Sequence, residues 1–311
     1  MPVCASGGVS VERMHFRPTT RLIDVALLLL LSSLWGASYA FIKLGVETIP
    51  PITLIASRTL VAGLLLTALL RWRGVQMPRD RTTWLKFGMQ ACLNSVLPFT
   101  LIAWAEQTVD SSLATMLNAL SPVFAYLMGR LFGARETTGA IRLLGVVLGL
   151  GGIALIVGAT ALHGLGDQVL AQLAIVFASV CYGGAALFGR QFNQLGPMLP
   201  AAGSLLCGAA VLVPLGLVVD RPWLAAPSGV SLAALCALSV FSTALALVIY
   251  FRLLTTLGPL GTTAQAYLRV PVGVAVGVLF MGESLAATAW IGFACVVAGV
   301  AAMTIGRKNA N

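Results

Sequence analysis

The 311-residue sequence predicts an all-α membrane protein with ten transmembrane helices in two inverted five-helix repeats. Three observations predict it. Hydrophobic residues make up 59% of the chain and charged ones only 9%, against about a quarter charged in a soluble domain. Apolar runs of about 20 residues, the length that crosses a bilayer, recur from end to end. The basic residues gather in alternate turns between those runs, as they do when one side of each turn pair faces a cytoplasm.

The apolar runs are roughly 22–42, 52–70, 85–104, 111–131, 141–159, 169–189, 200–219, 230–250, 260–280 and 285–305. The turns between them carry breakers such as Pro50–Pro51, Gly74, Gly196–Pro197 and Pro222. With the N-terminus placed in the cytoplasm, fifteen of the 19 basic residues fall inside. They cluster at Arg13 to Arg21, Arg71 to Lys86, Arg130 to Arg142, and Arg190, Arg252, Arg307 and Lys308. Lys43 and Arg221 fall outside, and Arg58 and Arg269 lie within spans. An error of one helix early in the chain would scramble this split, so both termini are expected in the cytoplasm. The basic N-terminus with Ser38-Tyr39-Ala40 admits a cleaved signal peptide as the alternative. The apolar run, however, continues through Phe41 and Ile42.

The halves resemble each other. Asn118-Ala119-Leu120-Ser121-Pro122 precedes Gly133, Glu136, Gly145 and Gly152. Tyr267-Leu268-Arg269-Val270-Pro271 precedes Gly282, Glu283, Gly292 and Gly299. Pro122 to Gly133 and Pro271 to Gly282 are both eleven residues, and the later glycines are seven apart in both. Trp35-Gly36-Ala37 likewise matches Tyr182-Gly183-Gly184. Five helices per repeat is odd, so the second repeat, 168–305, enters the membrane opposite to the first, 22–159. Inverted repeats of this kind are frequent in secondary transporters.

These residues also resemble a known family. Leu34 through Lys43, Ser57-Arg58, Leu120 through Phe124, Gly145 through Gly152, Phe280 through Glu283 and Trp290-Ile291-Gly292 look like the EamA domain of the drug/metabolite transporter superfamily. The resemblance spans about residues 22–305. It implies ten helices, cytoplasmic termini and transport of amino acids or related metabolites, often as efflux. Two departures stand out: the step from Gly133 to Glu136 is widened, and Arg269 stands before the second-half proline.

Charge inside a span costs several kcal/mol unless paired or hydrated, which makes Arg269 the sharpest candidate for substrate binding. About nine residues into its run, it lies roughly 13 Å deep in a ~30 Å core. Its guanidinium suits a substrate carboxylate or other anion; locking of helix packing is the alternative. Gln265 is four residues away, on the same helix face. Asn118, Trp35 and Tyr182 are further candidates for the cavity wall, as polar or aromatic groups deep in spans. Arg58 could cap an external mouth, or snorkel or pair with Glu47. Glycine pairs Gly129/Gly133, Gly145/Gly149 and Gly273/Gly277 predict close helix approach. No Asp or Glu falls mid-span; Glu106, Asp110 and Glu283 are read as outer turns. That weakens a carboxylate proton relay and favours facilitated diffusion or exchange.

The six cysteines lack CxxC spacing and the chain has only two histidines, His15 and His163. No metal, cofactor or catalytic residue is expected, and the motifs HExxH, GxSxG and the P-loop are absent, so an enzyme is disfavoured. The expected partners are a small-molecule substrate and membrane lipids, with no nucleic acid; a homodimer is an open alternative to a monomer. The function predicted is an amino-acid or metabolite transporter of the bacterial inner membrane, working as an exporter by alternating access. A channel or lipid-handling protein of the same architecture is the alternative.

Overall fold

Lipid offers backbone amides no hydrogen bonds, so an apolar chain satisfies them within its own helices. The computed structural model describes residues 18–109, 111–133, 139–157, 168–271 and 287–305, and all secondary structure there is helical. The helices are α1 Pro18–Val46, α2 Pro51–Trp72, α3 Arg81–Ala105, α4 Ser111–Asn118, α5 Ser121–Leu131 and α6 Ala140–Val157. The second half contributes α7 Val169–Phe192, α8 Met198–Val219, α9 Gly229–Thr256, α10 Gly258–Thr263, α11 at 265–271 and α12 Ala287–Ile305. Among the sequence expectations, Arg13, Arg17, Asp110, Arg135, Glu136, His163, Gly273, Gly277, Gly282, Glu283, Arg307 and Lys308 lie outside the described residues.

Among the described residues, six helices are long and apolar enough to cross a membrane: the 25 residues Leu22–Val46 of α1, together with α2, α3, α7, α8 and α9. Ala140–Leu155 and Trp290–Thr304 are shorter apolar helices. The chain is thus a multi-pass helical membrane protein. The fourth apolar run does not form one helix. Pro122 has no N–H to donate to the Asn118 carbonyl, and that carbonyl accepts the Ser121 hydroxyl at 2.7 Å instead. The chain turns at Ala119 and Leu120 between α4 and α5.

Helix ends follow local chemistry. Gly74 takes φ +72° after α2. It donates to Arg71 O while Val75 donates to Leu70 O, the pairing that closes a helix through a left-handed glycine. Gly133 likewise has φ +69° and open space around it, so it terminates α5 rather than packing helices as expected. Asp80 caps α3 by accepting from Thr83 N at 2.8 Å. The exposed Asp80 carboxyl is held below the ordinary aspartate range by its Thr83 hydrogen bonds. Asp220, at the end of α8, accepts from Thr53 N at 2.6 Å and Thr53 Oγ1 at 2.9 Å in the first turn of α2. One carboxylate thereby satisfies an orphan helix N–H across two helices.

Packing pairs α6 with α12, α2 with α8, α1 with α9, α3 with α7, and α5 with α7. Glycines set the closest of these. A Cβ on Gly145 would stand 2.7 Å from Gly299 O, and one on Gly152 would stand 2.7 Å from Gly292 O. The backbones of α6 and α12 therefore touch directly, as small-residue seams permit in lipid. Gly149 is covered by the Tyr267 ring, whose hydroxyl donates to Val146 O at 3.1 Å.

Candidate functional site

Two long helices carry the same defect. In α3 the residues Cys92–Val96 form a π-helical turn, and in α9 so do Val240–Leu245. Such turns loosen the hydrogen-bond ladder and expose carbonyls to other partners. In α9 the exposed groups hold two of the residues singled out from sequence. Trp35 Nε1 donates to Ser242 O at 3.0 Å. Arg58 Nε donates to Thr243 Oγ1 at 2.9 Å, and that hydroxyl donates to Leu238 O at 2.7 Å. In return Ser242 Oγ donates to Leu34 O at 2.8 Å.

Beside this turn lies a partly open cavity of about 30 Å³, room for roughly two waters at ~15 Å³ each. Arg58, Arg269, Trp35, Tyr182 and Asn118 all line it. Five of the six residues chosen from sequence are thus brought together from α1, α2, α4, α7 and α11. The sixth, Gln265, stands behind the wall and accepts from Arg269 Nε at 2.8 Å. Each guanidinium also lies over an aromatic ring: Arg58 Cζ is 4.3 Å from the Phe99 centroid and Arg269 Cζ 5.1 Å from that of Trp35. Such stacking holds the fork in place while leaving its charge intact. Asn118 Oδ1 accepts from Ser179 Oγ at 3.2 Å.

Arg58 is 2% exposed. Its partners are Thr243 and Phe99 rather than Glu47, so it neither snorkels nor forms the ion pair considered from sequence. Glu106, expected in an outer turn, caps the end of α3 with both carboxylate oxygens out of solvent contact. It lies within Coulombic reach of Arg58. It also shares a helix face with the cavity-lining Phe99 and Ile102, at spacings of seven and four. Trp104 is 44% exposed and belongs to the outer surface.

Sequence reasoning passed over Ser38, Ile42, Phe99 and Ile102 as wall residues, and Ser242 and Thr243 as supports. The apolar ones look like any lipid-facing residue. The adjacent hydroxyls of Ser242 and Thr243 were a usable signal, because polar groups in an apolar run must find partners. Asn94 and Ser95 repeat that pattern in the other π turn and are fully buried. Among the described residues, no three His, Cys, Asp or Glu side chains cluster as metal ligands.

A bundle of apolar helices around a small amphiphilic cavity lined by two arginines is the build of a membrane transport protein. The sequence pattern of the EamA-like transporter family matches residues 23–158 and again 169–305, and the chain belongs to that family. It is 28% identical over 295 residues to the uncharacterized inner membrane transporter YedA of Escherichia coli (strain K12), covering 94% of each chain. It is 25% identical over 279 residues, 88% of this chain and 92% of the other, to a probable terminal-alkyne amino-acid exporter of Streptantibioticus cattleyicolor. A crystal structure with 19% sequence identity shares the fold, with a TM-score of 0.73, over 94% of this chain and 99% of that one.

Proposed function

We propose that the protein is a secondary carrier for amino acids or related small metabolites in the bacterial inner membrane, operating as an exporter by alternating access rather than as an enzyme. In this reading ten spans form two five-helix units of opposite orientation, 22–159 and 168–305, with both termini cytoplasmic. The observation that carries it is a reciprocal set of contacts between the two halves of the chain. Gly145 meets Gly299 while Gly152 meets Gly292, the crossed pairing that a two-fold axis generates. Ser32 Oγ donates to its own helix at Leu28 O and across to Gln265 O. Ser179, which matches Ser32 as Tyr182 matches Trp35, donates to Ile175 O and across to Leu117 O. The two π turns match in the same way. A two-fold of this kind supports two conformations of similar energy, one open to each side.

The cavity's amphiphilic wall fits a small charged metabolite, and the name of the Streptantibioticus relative supports both the substrate class and the outward direction. Counterflow in proteoliposomes tests the proposal. Labelled amino acids outside are offered against unlabelled pools inside, with Arg269→Gln beside wild type. Transient accumulation by wild type and its loss in the folded variant is the expected result. Flux that neither saturates nor responds to the internal pool would replace the carrier with a channel.

A further inference from the structure

The contacts at the paired glycines and at Ser32 and Ser179 obey a two-fold relation between the halves; the bonding of the π turns departs from it. Aligning the helix caps Asp80 with Ser228, and the turn onsets Cys92 with Val240, sets α3 on α9 without a gap. Asn94 then matches Ser242 and Ser95 matches Thr243. Leu34 matches Cys181 in the frame that pairs Trp35 with Tyr182. In α9 both side chains are bonded: Ser242 Oγ donates to Leu34 O of α1 at 2.8 Å, and Thr243 Oγ1 accepts from Arg58 Nε at 2.9 Å. In α3 Asn94 Nδ2 and Ser95 Oγ have no hydrogen-bond partner among the described residues, although neither residue is more than 1% exposed. For Ser95 the cause is on the page, because Arg58 is matched by Leu205, which has nothing to donate. Asn94 differs, because the matched acceptor is a backbone carbonyl, Cys181 O. The helix that carries it lies against this turn. A Cβ on Gly184 would stand 3.9 Å from Leu93 Cδ1, and Cys181 is within Coulombic reach of Cys92.

A buried amide donor without an acceptor is costly and calls for a bond made elsewhere in the working cycle. We infer that the protein has a second conformation in which the bonding is exchanged: Asn94 Nδ2 donates to Cys181 O of α7, and Ser242 releases Leu34 O of α1. The inference rests on the inverted-repeat carrier reading and names the contact on which its two states turn. A two-fold that relates the halves converts one state into the other. A bond made in one half and missing from the other is therefore the mark of a single state. Cys181 O can take a second donor, as Leu34 O does here, because a helix carbonyl keeps a lone pair beside the one its own helix uses.

Three variants of the full chain test it: Ser242→Ala, Asn94→Leu and Asn94→Ser. Ser242→Ala removes a bond of the described conformation and should melt below wild type in detergent. Asn94→Leu removes only an unpartnered donor at similar volume and should melt at or above wild type. Conformation is read separately, from Ser38→Cys on the cavity wall in a chain whose six native cysteines are alanine. Its rate of reaction with a membrane-impermeant thiol reagent is measured in right-side-out vesicles. Ser242→Ala and Asn94→Leu should shift that rate in opposite directions, each by about fivefold, the factor one net hydrogen bond carries. Asn94→Ser places the matched residue of α9 in α3 and should bring the rate back toward wild type. If the leucine variant does not fold, Asn94→Ala removes the same donor without overfilling the site and is read by the labelling rate. Melting of Asn94→Leu below wild type would overturn the inference, since Asn94 would then be bonded in the described conformation, through a resident water for example. Shifts in the same direction would also overturn it, and alongside amino-acid counterflow they would leave the carrier reading standing. Opposite shifts in a protein that shows no counterflow would uphold the exchange of bonds and remove the carrier.

Discussion

Gly151 and Gly152 are neighbours on α6 with opposite surroundings, and substituting each by alanine isolates the contact between α6 and α12. A Cβ on Gly151 meets nothing within 4 Å. One on Gly152 would stand 2.7 Å from Gly292 O, 2.8 Å from Val296 N and 2.9 Å from Val296 Cγ2. Two of those three atoms are backbone and cannot rotate away. Non-bonded carbon contacts are comfortable from about 3.5 Å, so the helices must separate by roughly 0.7 Å. Overpacking of this sort costs about 1–3 kcal/mol. Both substitutions gain the same helix propensity, up to about 1 kcal/mol, so the difference between them is the contact alone. At roughly 2–4 °C per kcal/mol, Gly152→Ala should melt about 2–12 °C below Gly151→Ala. Thermal unfolding in detergent, followed by a thiol-reactive dye on cysteines such as the buried Cys181, reads it. If the two variants melt together, the direct backbone contact is wrong, and the crossed glycine pairing falls with it.

Other consequences can be measured in the same way. Gln265→Leu removes the acceptor of Arg269 Nε and should cost about 1–3 kcal/mol; unchanged stability would mean that the arginine re-pairs at once. Ser32→Ala and Ser179→Ala each remove a matched cross-helix bond and should cost similar amounts, about 0.5–1.5 kcal/mol each; a large inequality would argue against equivalent roles. Asp220→Ala removes the cap on α2 and should cost about 1 kcal/mol, with Asp220→Asn recovering much of it. The Asp80 cap acts through pH. Its folded pKa lies below the unfolded one, so its stabilisation is complete above the ordinary value of about 3.9 and is lost as pH falls through the lowered value. Asp80→Asn should therefore flatten that part of the acid limb, which melting between pH 5 and 2 would register.

Much of the site was legible before the fold. Arg269, Asn118, Trp35 and Tyr182 stand out because lipid makes deep polar or amphiphilic groups expensive unless they turn inward. Arg58 was noticed for the same reason, but its depth on one helix could not distinguish a snorkelling side chain from one held by Thr243. The split of the fourth apolar run was signalled by Pro122, yet a proline inside a span equally permits a kinked continuous helix. The role of Phe99 was hidden because an apolar side chain reads alike toward lipid, core or cavity.

What the sequence by itself determined is the solvent and the local structure. A chain this apolar must live in lipid, and each apolar run must close its own hydrogen bonds as helix. Tertiary structure alone decided that Arg58 and Arg269 share one cavity, that the π turn of α9 holds Trp35 and Arg58, and that the glycines of α6 and α12 meet crosswise. The physical reason is one of range. Backbone hydrogen bonding is satisfied within a few residues of the same run, whereas the choice of which helix faces meet depends on close packing between residues far apart in the chain.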